Sequence, residues 1–244
     1  MGISTPQWEG AINVRDLGGL TVAGGGRVAP RRLFRSARPE TMTTAGWVQL
    51  RADGVSTVID LRNDDERGRR GSDAVVADGT LDGLNQLVRP TEDPTHVDFK
   101  QLCWPYLNTP KYYLDNLRLW PERFVQIVHD VAVAPPGGVL VHCSGGRDRT
   151  GLVVMLLLQL IGVRREDIAD DYEWGVRTAN ERFRVIDHPV ERYRTPEALD
   201  AWVEETRTHL LRTLREVDAA EFLLEAGLSA EDLDAVRARL TDRA

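Results

Sequence analysis

The sequence predicts an α/β fold: a small, mostly parallel sheet flanked by helices, with a helical C-terminal third. A short β-branched run at 55–61 closes on Asp60-Leu61-Arg62, the pattern of a buried parallel strand whose C-terminal end faces a crevice. A second apolar run at 139–142 passes through a glycine-containing turn into the apolar stretch 152–163, so a buried strand feeds a buried helix. Beyond 164, helix starts and helical spacing recur.

In chain order, Leu20-Thr21-Val22 and Arg27-Val28 flank Ala23-Gly24-Gly25-Gly26, which predicts a hairpin, and Leu33-Phe34-Arg35 follows as a short strand. A helix is expected at 44–52, with Trp47, Val48 and Leu50 on its buried side and Gly54 closing it. Pro90, Pro94, Pro105, Pro110 and Pro121 punctuate 88–121, which reads as an irregular excursion partly covering the crevice; a helix at 121–133 then returns to the sheet. Aromatic residues between Trp104 and Trp120 either pin that excursion to the core or stack on an aryl ligand. Further helices are expected at 165–176, at 196–214 behind Thr195 as N-cap, and from Ser229, where Asp232 makes an approximate capping box. Leu233, Val236 and Leu240 of that last helix point inward. Residues 1–244 read as one domain, with 88–121 as a lid-like excursion and 164–244 as the helical portion.

Composition narrows the possibilities. At 244 residues and 42% hydrophobic, the chain can bury a full core without a second domain. The stretch 152–163 holds Gln159 and Gly162 and falls short of the roughly 20 residues a membrane span needs, so no integral membrane segment is expected. Residues 1–10 show no apolar stretch of signal-peptide length, and Pro6 stands where myristoylation requires Ser or Thr. Cys103 and Cys143 are too few for a disulfide framework, and a nucleophilic thiol must stay reduced, which together predict a cytoplasmic setting. Cys103 itself reads as a small buried hydrophobe. His96, His129, His142, His188 and His209 lack zinc-type spacing and no C-x-x-C occurs, so neither metal nor cofactor is expected. A net charge of −7 argues against nucleic acid as a partner.

Residues 139–151 read Val-Leu-Val-His-Cys-Ser-Gly-Gly-Arg-Asp-Arg-Thr-Gly. The five residues between Cys143 and Arg149 make a loop short enough to wrap one tetrahedral anion. Its backbone N–H groups point inward, and the positive end of the following helix is aimed at the same point. Cys143 is the candidate nucleophile, because helix N-terminal charge and a neighbouring guanidinium favour ionised sulfur. Arg149 can grip two phosphoryl oxygens in its planar fork, with Ser144, Gly145, Gly146, Arg147 and Thr150 completing the cradle. Arg31, Arg32, Arg35 and Arg62 are candidates to extend it into one cationic cleft.

This segment resembles the signature of the cysteine-dependent phosphatases. Its His-Cys-x-x-Gly-[Lys/Arg]-Asp-Arg-Thr-Gly form is most similar to the bacterial tyrosine/serine phosphatase family. Asn13-Val14-Arg15-Asp16-Leu17-Gly18-Gly19, Leu33-Phe34-Arg35-Ser36, Val58-Ile59-Asp60-Leu61-Arg62 and Gly227-Leu228-Ser229 stand in the order that family shows. Arg147 departs from the lysine of better-known members, and a wide fork at the cradle rim is expected to favour a substrate with a second anion. The resemblance implies a protein phosphatase that hydrolyses phosphotyrosine, with phosphoserine and phosphothreonine in reach, through a phosphocysteine intermediate. A phosphoinositide phosphatase is the alternative.

The resemblance also implies Asp148 as the acid that protonates the leaving group. Asp93 and Asp98, in the excursion, are alternatives, and Asp148 can instead hold Arg147 or Arg149 through a salt bridge. His142 is expected to order the loop and Thr150 to donate its hydroxyl to the sulfur. Asp60, Arg62, Arg35 and Ser36 are either strand-end structure or cleft lining, and Arg15-Asp16 reads as a turn held by a local ion pair. Two other classes use comparable parts. A rhodanese-like sulfurtransferase is opposed by the five-residue spacing and the Arg149-Thr150-Gly151 ending, and a non-catalytic phosphate-binding module by the presence of both Cys143 and Arg149.

Overall fold

The apolar runs become the centre of a five-stranded sheet in the computed structural model, which describes residues 4–186 and 191–242. His188, among the scattered histidines, lies outside the described residues. The strands are β1 (Arg15–Asp16), β2 (Arg27–Val28), β3 (Leu33–Ser36), β4 (Val55–Asp60), β5 (Asn85–Val88), β6 (Gly138–His142) and β7 (Thr241–Asp242). The sheet order is β1-β3-β6-β4-β5, parallel throughout except for β1, which runs antiparallel to β3. Central β6 is buried along its whole length, as a strand covered on both faces must be. Register places both Ser36 and Asp60 beside His142, so the C-terminal ends of β3, β4 and β6 meet at one edge. The crevice opens there.

Nine helices follow among the described residues: α1 (Thr44–Ala52), α2 (Val97–Leu102), α3 (Tyr113–Leu119), α4 (Pro121–Val133), α5 (Asp148–Leu160), α6 (Arg165–Arg182), α7 (Pro196–Glu216), α8 (Ala219–Glu225) and α9 (Ala230–Leu240). Strand alternation divides the core. Val139 and Val141 of β6 face a large cluster that includes α4, α5 and the C-terminal helices, whereas Leu140 faces a smaller one with Trp8, Phe34, Trp47 and Leu50. Thr195 and Ser229 cap as expected, accepting from the N–H groups of Ala198 and Asp232 at 3.4 and 3.0 Å. Leu233, Val236 and Leu240 are buried.

Several local expectations change. Val48 is 57% exposed, because one step of about 100° carries it off the face shared by Trp47 and Leu50. The expected hairpin is kept as a short one, with Thr21 bridged to Arg27 and the N–H groups of Val28 and Val22 donating to Leu20 O and Gly26 O at 2.8 and 3.3 Å, while β2 also pairs with β7. Helix α6 runs on to Arg182 rather than stopping at 176. Within 88–121 the chain is largely helical: besides α2 and α3 there are 3₁₀ turns at Trp104–Tyr106 and Pro110–Tyr112. Pro105, Pro110 and Pro121 each lie at the start of a helical turn, where the missing N–H costs nothing. Phe99, Tyr112, Tyr113 and Leu117 anchor the segment in the core, while Trp104 remains half exposed. Cys103 is buried there too, and burial pushes its thiol up to about 12. Arg31 and Arg32 precede β3 and so lie at the end of the sheet opposite the cysteine loop, where Arg31 faces Asp53 at 3.6 Å.

Candidate active site

Strand β6 delivers Cys143, and α5 begins at Asp148, so residues 144–147 must turn the chain within four positions. Gly146 makes that turn at φ +66°, packed so closely that a Cβ would stand 2.3 Å from the Ser36 carbonyl. Gly145 faces open space.

Every carbonyl of the turn is held from outside. Ser144 O accepts from Arg38 N–H at 3.1 Å. Asn13 Nδ2 donates to Gly145 O and Gly146 O at 2.9 and 3.1 Å, and Arg35 Nη2 donates to Gly146 O and Arg147 O at 2.9 and 3.1 Å. With their carbonyls tied back, the N–H groups of 144–147 donate to no described residue and are left to face the concave side. The unpaired N–H groups of the first α5 turn join them.

The clamp is itself fixed by a buried network. Arg15 Nε donates to Asp171 Oδ1 at 2.6 Å, Arg35 Nη1 donates to Asp171 Oδ2, and Arg15 Nη1 donates to Asn13 Oδ1 at 2.6 Å. Arg15 therefore pairs with a carboxylate on α6 and not with Asp16, whose oxygens accept from the Gly18 and Arg31 N–H groups. Burial brings Arg15 down to about 10, with Asp171 pulling it back up. It remains a cation at neutral pH.

His142 is buried, its Nδ1 3.3 Å from Cys143 O and 3.8 Å from Asp60 Oδ1, and burial lowers its pKa, which keeps it neutral. Arg62 donates to Asp60 at 2.9 and 2.7 Å and to Glu40 at 2.7 Å. Burial alone would raise the Asp60 carboxyl, but these bonds outweigh it and hold it below the usual range. Asp60 and Arg62 thus brace His142 behind the loop and do not line the cleft. Thr150 Oγ1 is buried without a partner among the described residues.

The cleft in front of the loop has a volume of about 400 Å³ and is lined by Cys143, Asp148 and Arg149 among others. Arg149 donates through both Nη atoms to Glu66, and its Nη1 stands 3.6 Å from Glu92 Oε1. Arg147 is not a free cation at the rim. Its guanidinium is buried, bidentate to Glu191 at 3.0 and 2.8 Å and bonded to Asp148 Oδ2 at 2.9 Å. Tyr172 donates to Asp148 Oδ1 at 2.6 Å, so both Asp148 oxygens are engaged as acceptors.

Neither Asp93 nor Asp98 lines the cleft. Asp93 Oδ1 accepts from Thr95 N–H and Thr95 Oγ1 at 2.8 and 2.7 Å, and Asp98 is exposed in the first turn of α2. The residue beside them does line it: Glu92 is buried, and burial pushes its carboxyl up to about 7 against the pull of Arg149. Glu66, Glu92, Asp171 and Glu191 were not evident from the sequence. Only Asp171 leaves a trace there, as an acid at helical spacing from Ile168, Tyr172 and Gly175 on the apolar stripe of α6.

A parallel sheet whose central strand feeds a cysteine, an amide-lined turn and a helix N-terminus defines the class: a cysteine-loop phosphatase fold. Residues 6–242 match the model of the tyrosine phosphatase family, and the chain belongs to that family. The triple specificity protein phosphatase PtpB of Mycobacterium tuberculosis is 32% identical over 191 residues, covering 67% of this chain and 66% of that protein. A tyrosine-protein phosphatase of Nostoc commune is 31% identical over 139 residues, covering 57% of this chain and 46% of its own length. The chain thus spans less than two thirds of either relative. The crystal structure of P. aeruginosa TpbA aligns over 88% of this chain and 91% of that chain at 16% identity, with a TM-score of 0.45.

Proposed function

We propose that the chain is a metal-independent phosphatase that hydrolyses phosphotyrosine, and also phosphoserine and phosphothreonine, through a phosphocysteine intermediate. The observation that carries this reading is the clamped turn: four carbonyls tied outward under a cysteine leave an amide cradle fitted to one phosphoryl group. Cys143 attacks phosphorus in line, Arg149 and the 144–149 amides take up charge on the equatorial oxygens, and the Thr150 hydroxyl eases departure of sulfur in the second step. His142 orders the loop and transfers no proton.

Residues beyond the cradle bear on the substrate. Arg70 and Arg182 line the same cleft, and Arg182 lies near enough to Arg38 and Arg70 that, after burial, their charges lower its pKa. They supply the cationic rim that the sequence assigned to Arg147, and they favour a substrate with a second anion, an acidic phosphopeptide or a phosphoinositide. The core cluster that runs from Leu17 to Leu240 supports reading the chain as one phosphatase domain. No helix among the described residues is long and apolar enough to cross a membrane. Two free thiols support a reducing, cytoplasmic setting, and the acidic net charge opposes nucleic acid as a partner.

The test is turnover of p-nitrophenyl phosphate beside thiosulfate sulfur transfer. Cys143→Ser is expected to abolish phosphatase turnover and to leave phosphate-ester binding largely in place, while vanadate inhibits the unmodified protein and EDTA does not. Turnover surviving in the serine variant, or lost to EDTA, contradicts the mechanism.

A further inference from the structure

Among the described residues, four carboxylates surround the cleft, and three are spoken for. Glu66 is held by Arg149, Asp148 by Arg147 and Tyr172, and Glu191 by Arg147. Glu92 differs. Its Oε2 is buried with no hydrogen-bond partner among the described residues, and its Oε1 is 3.6 Å from Arg149 Nη1, beyond hydrogen-bond reach. The hydroxyl of Tyr112, also lining the cleft, is likewise buried without a partner among the described residues. The backbone that presents Glu92 is firm: Arg123 Nη1 donates to Pro90 O and Glu92 O at 3.2 and 2.8 Å, and Arg89 N–H donates to Asp60 O at 2.8 Å, continuing from β5. A buried carboxyl oxygen without a hydrogen bond costs free energy unless a ligand meets it.

We propose that Glu92 is the proton donor to the departing oxygen in the reaction argued above, on which this inference rests. The Cys143 thiolate pair forms the S–P bond as the P–O bond breaks, and that bond's electrons pass to the leaving oxygen. The same oxygen takes the proton of Glu92, so a neutral alcohol or phenol leaves and Glu92 remains as carboxylate. In the second step water attacks phosphorus and gives its proton to Glu92, the S–P bond breaks, and thiolate, protonated Glu92 and phosphate result. Asp148 is badly placed for this work, because Arg147 and Tyr172 both donate to it and a proton there would displace one of them. Its place is to position Arg147 and the turn. Burial favours the protonated form of Glu92, as a donor near neutral pH requires.

The experiment compares kcat/KM, which reports the first step alone, on phenyl phosphate, whose leaving group needs the proton, and on p-nitrophenyl phosphate, whose leaving group hardly does, from about pH 5 to pH 9. Glu92→Gln is expected to lower kcat/KM on phenyl phosphate about 100-fold or more, to lower it no more than about tenfold on p-nitrophenyl phosphate, and to erase the basic limb of the profile. Glu92→Asp is expected to restore activity in part, with the limb displaced. Equal losses on both substrates with the limb in place overturn the assignment, as does the same substrate split in Asp148→Asn. Should the glutamine variant fail to fold, the aspartate variant decides, since a limb left unmoved by the shortened side chain rejects Glu92. Unmodified protein that turns over neither ester, or activity that survives Cys143→Ser, rejects the phosphatase reading itself and the role of Glu92 with it.

Discussion

Behind the cysteine turn and in front of it, arginines meet carboxylates in opposite proportions. Behind, Arg15 and Arg35 share the single carboxylate of Asp171, all three are buried, and the surplus donors go to the carbonyls of Asn13, Asp171, Gly146 and Arg147. In front, one guanidinium, Arg149, faces both Glu66 and Glu92, and burial raises the Glu92 carboxyl to about 7. The rear network is buried from solvent and, apart from Arg35 Nε, its guanidinium donors are taken up by Asp171, Asn13 and backbone carbonyls, so it fixes shape. The front network is partly open, and under the proposed mechanism an arriving phosphoryl group takes over what Glu66 holds. Identical side chains therefore serve rigidity on one side and exchange on the other.

The largest expected effect comes from breaking the rear. Asp171→Asn leaves two buried guanidinium groups without their counter-charge and should cost about 3–5 kcal/mol of unfolding free energy, read from urea midpoints. Arg149→Lys should do the reverse. It keeps the charge but loses the fork, so kcat on p-nitrophenyl phosphate is expected to fall about 100-fold, roughly 3 kcal/mol of transition-state stabilisation, while stability changes by no more than about 1 kcal/mol. A lysine variant that unfolds as readily as the Asp171 variant would erase the distinction between the two sides.

Two glycines sharpen it further. Gly146→Ala meets the Ser36 backbone from a positive φ and should cost about 2 kcal/mol or more, whereas Gly145→Ala meets nothing and should stay within about 0.5 kcal/mol in thermal unfolding.

The smallest effect is a pH dependence. The Glu92 carboxyl is raised in the folded state from 4.5 to about 7, so the folded protein holds more protons than the unfolded chain between those values, and stability falls as pH rises through them. Glu92→Gln removes that loss. Its stability relative to the parent should rise by on the order of 1–2 kcal/mol from pH 5 to pH 8, and a flat difference would mean that Glu92 is not protonated in the fold.

What the sequence shows and hides follows from how far apart the interacting residues lie. Cys143 and Arg149 are legible because one short turn carries both, and β4, β6 and α4 because their periodicity is local. Residues 15 and 171 are 156 positions apart, and nothing in Arg15-Asp16 says that the arginine ignores its neighbour. Arg147 reads as a free cation for the same reason, its partner Glu191 lying 44 positions away. Glu66 and Glu92 sit in polar stretches where a carboxylate on the cleft and one in solvent look alike. The segment 88–121 misleads differently: prolines that open helical turns are indistinguishable, residue by residue, from prolines that interrupt them.

The link between Asp171 and residues 13–35 also has a consequence in time. Contacts closed over 156 and 136 positions form late compared with a strand and the helix beside it. During synthesis, β6, the cysteine and much of α5 can leave the ribosome and pair before α6 exists to supply its carboxylate. The carbonyls of the turn have no complete clamp until then, and the inward amides no reason to stay inward. On the proposed reading of the site, a nascent chain carries the thiol without the complete clamp, and the capacity to hold a phosphoryl group arrives with the docking of α6.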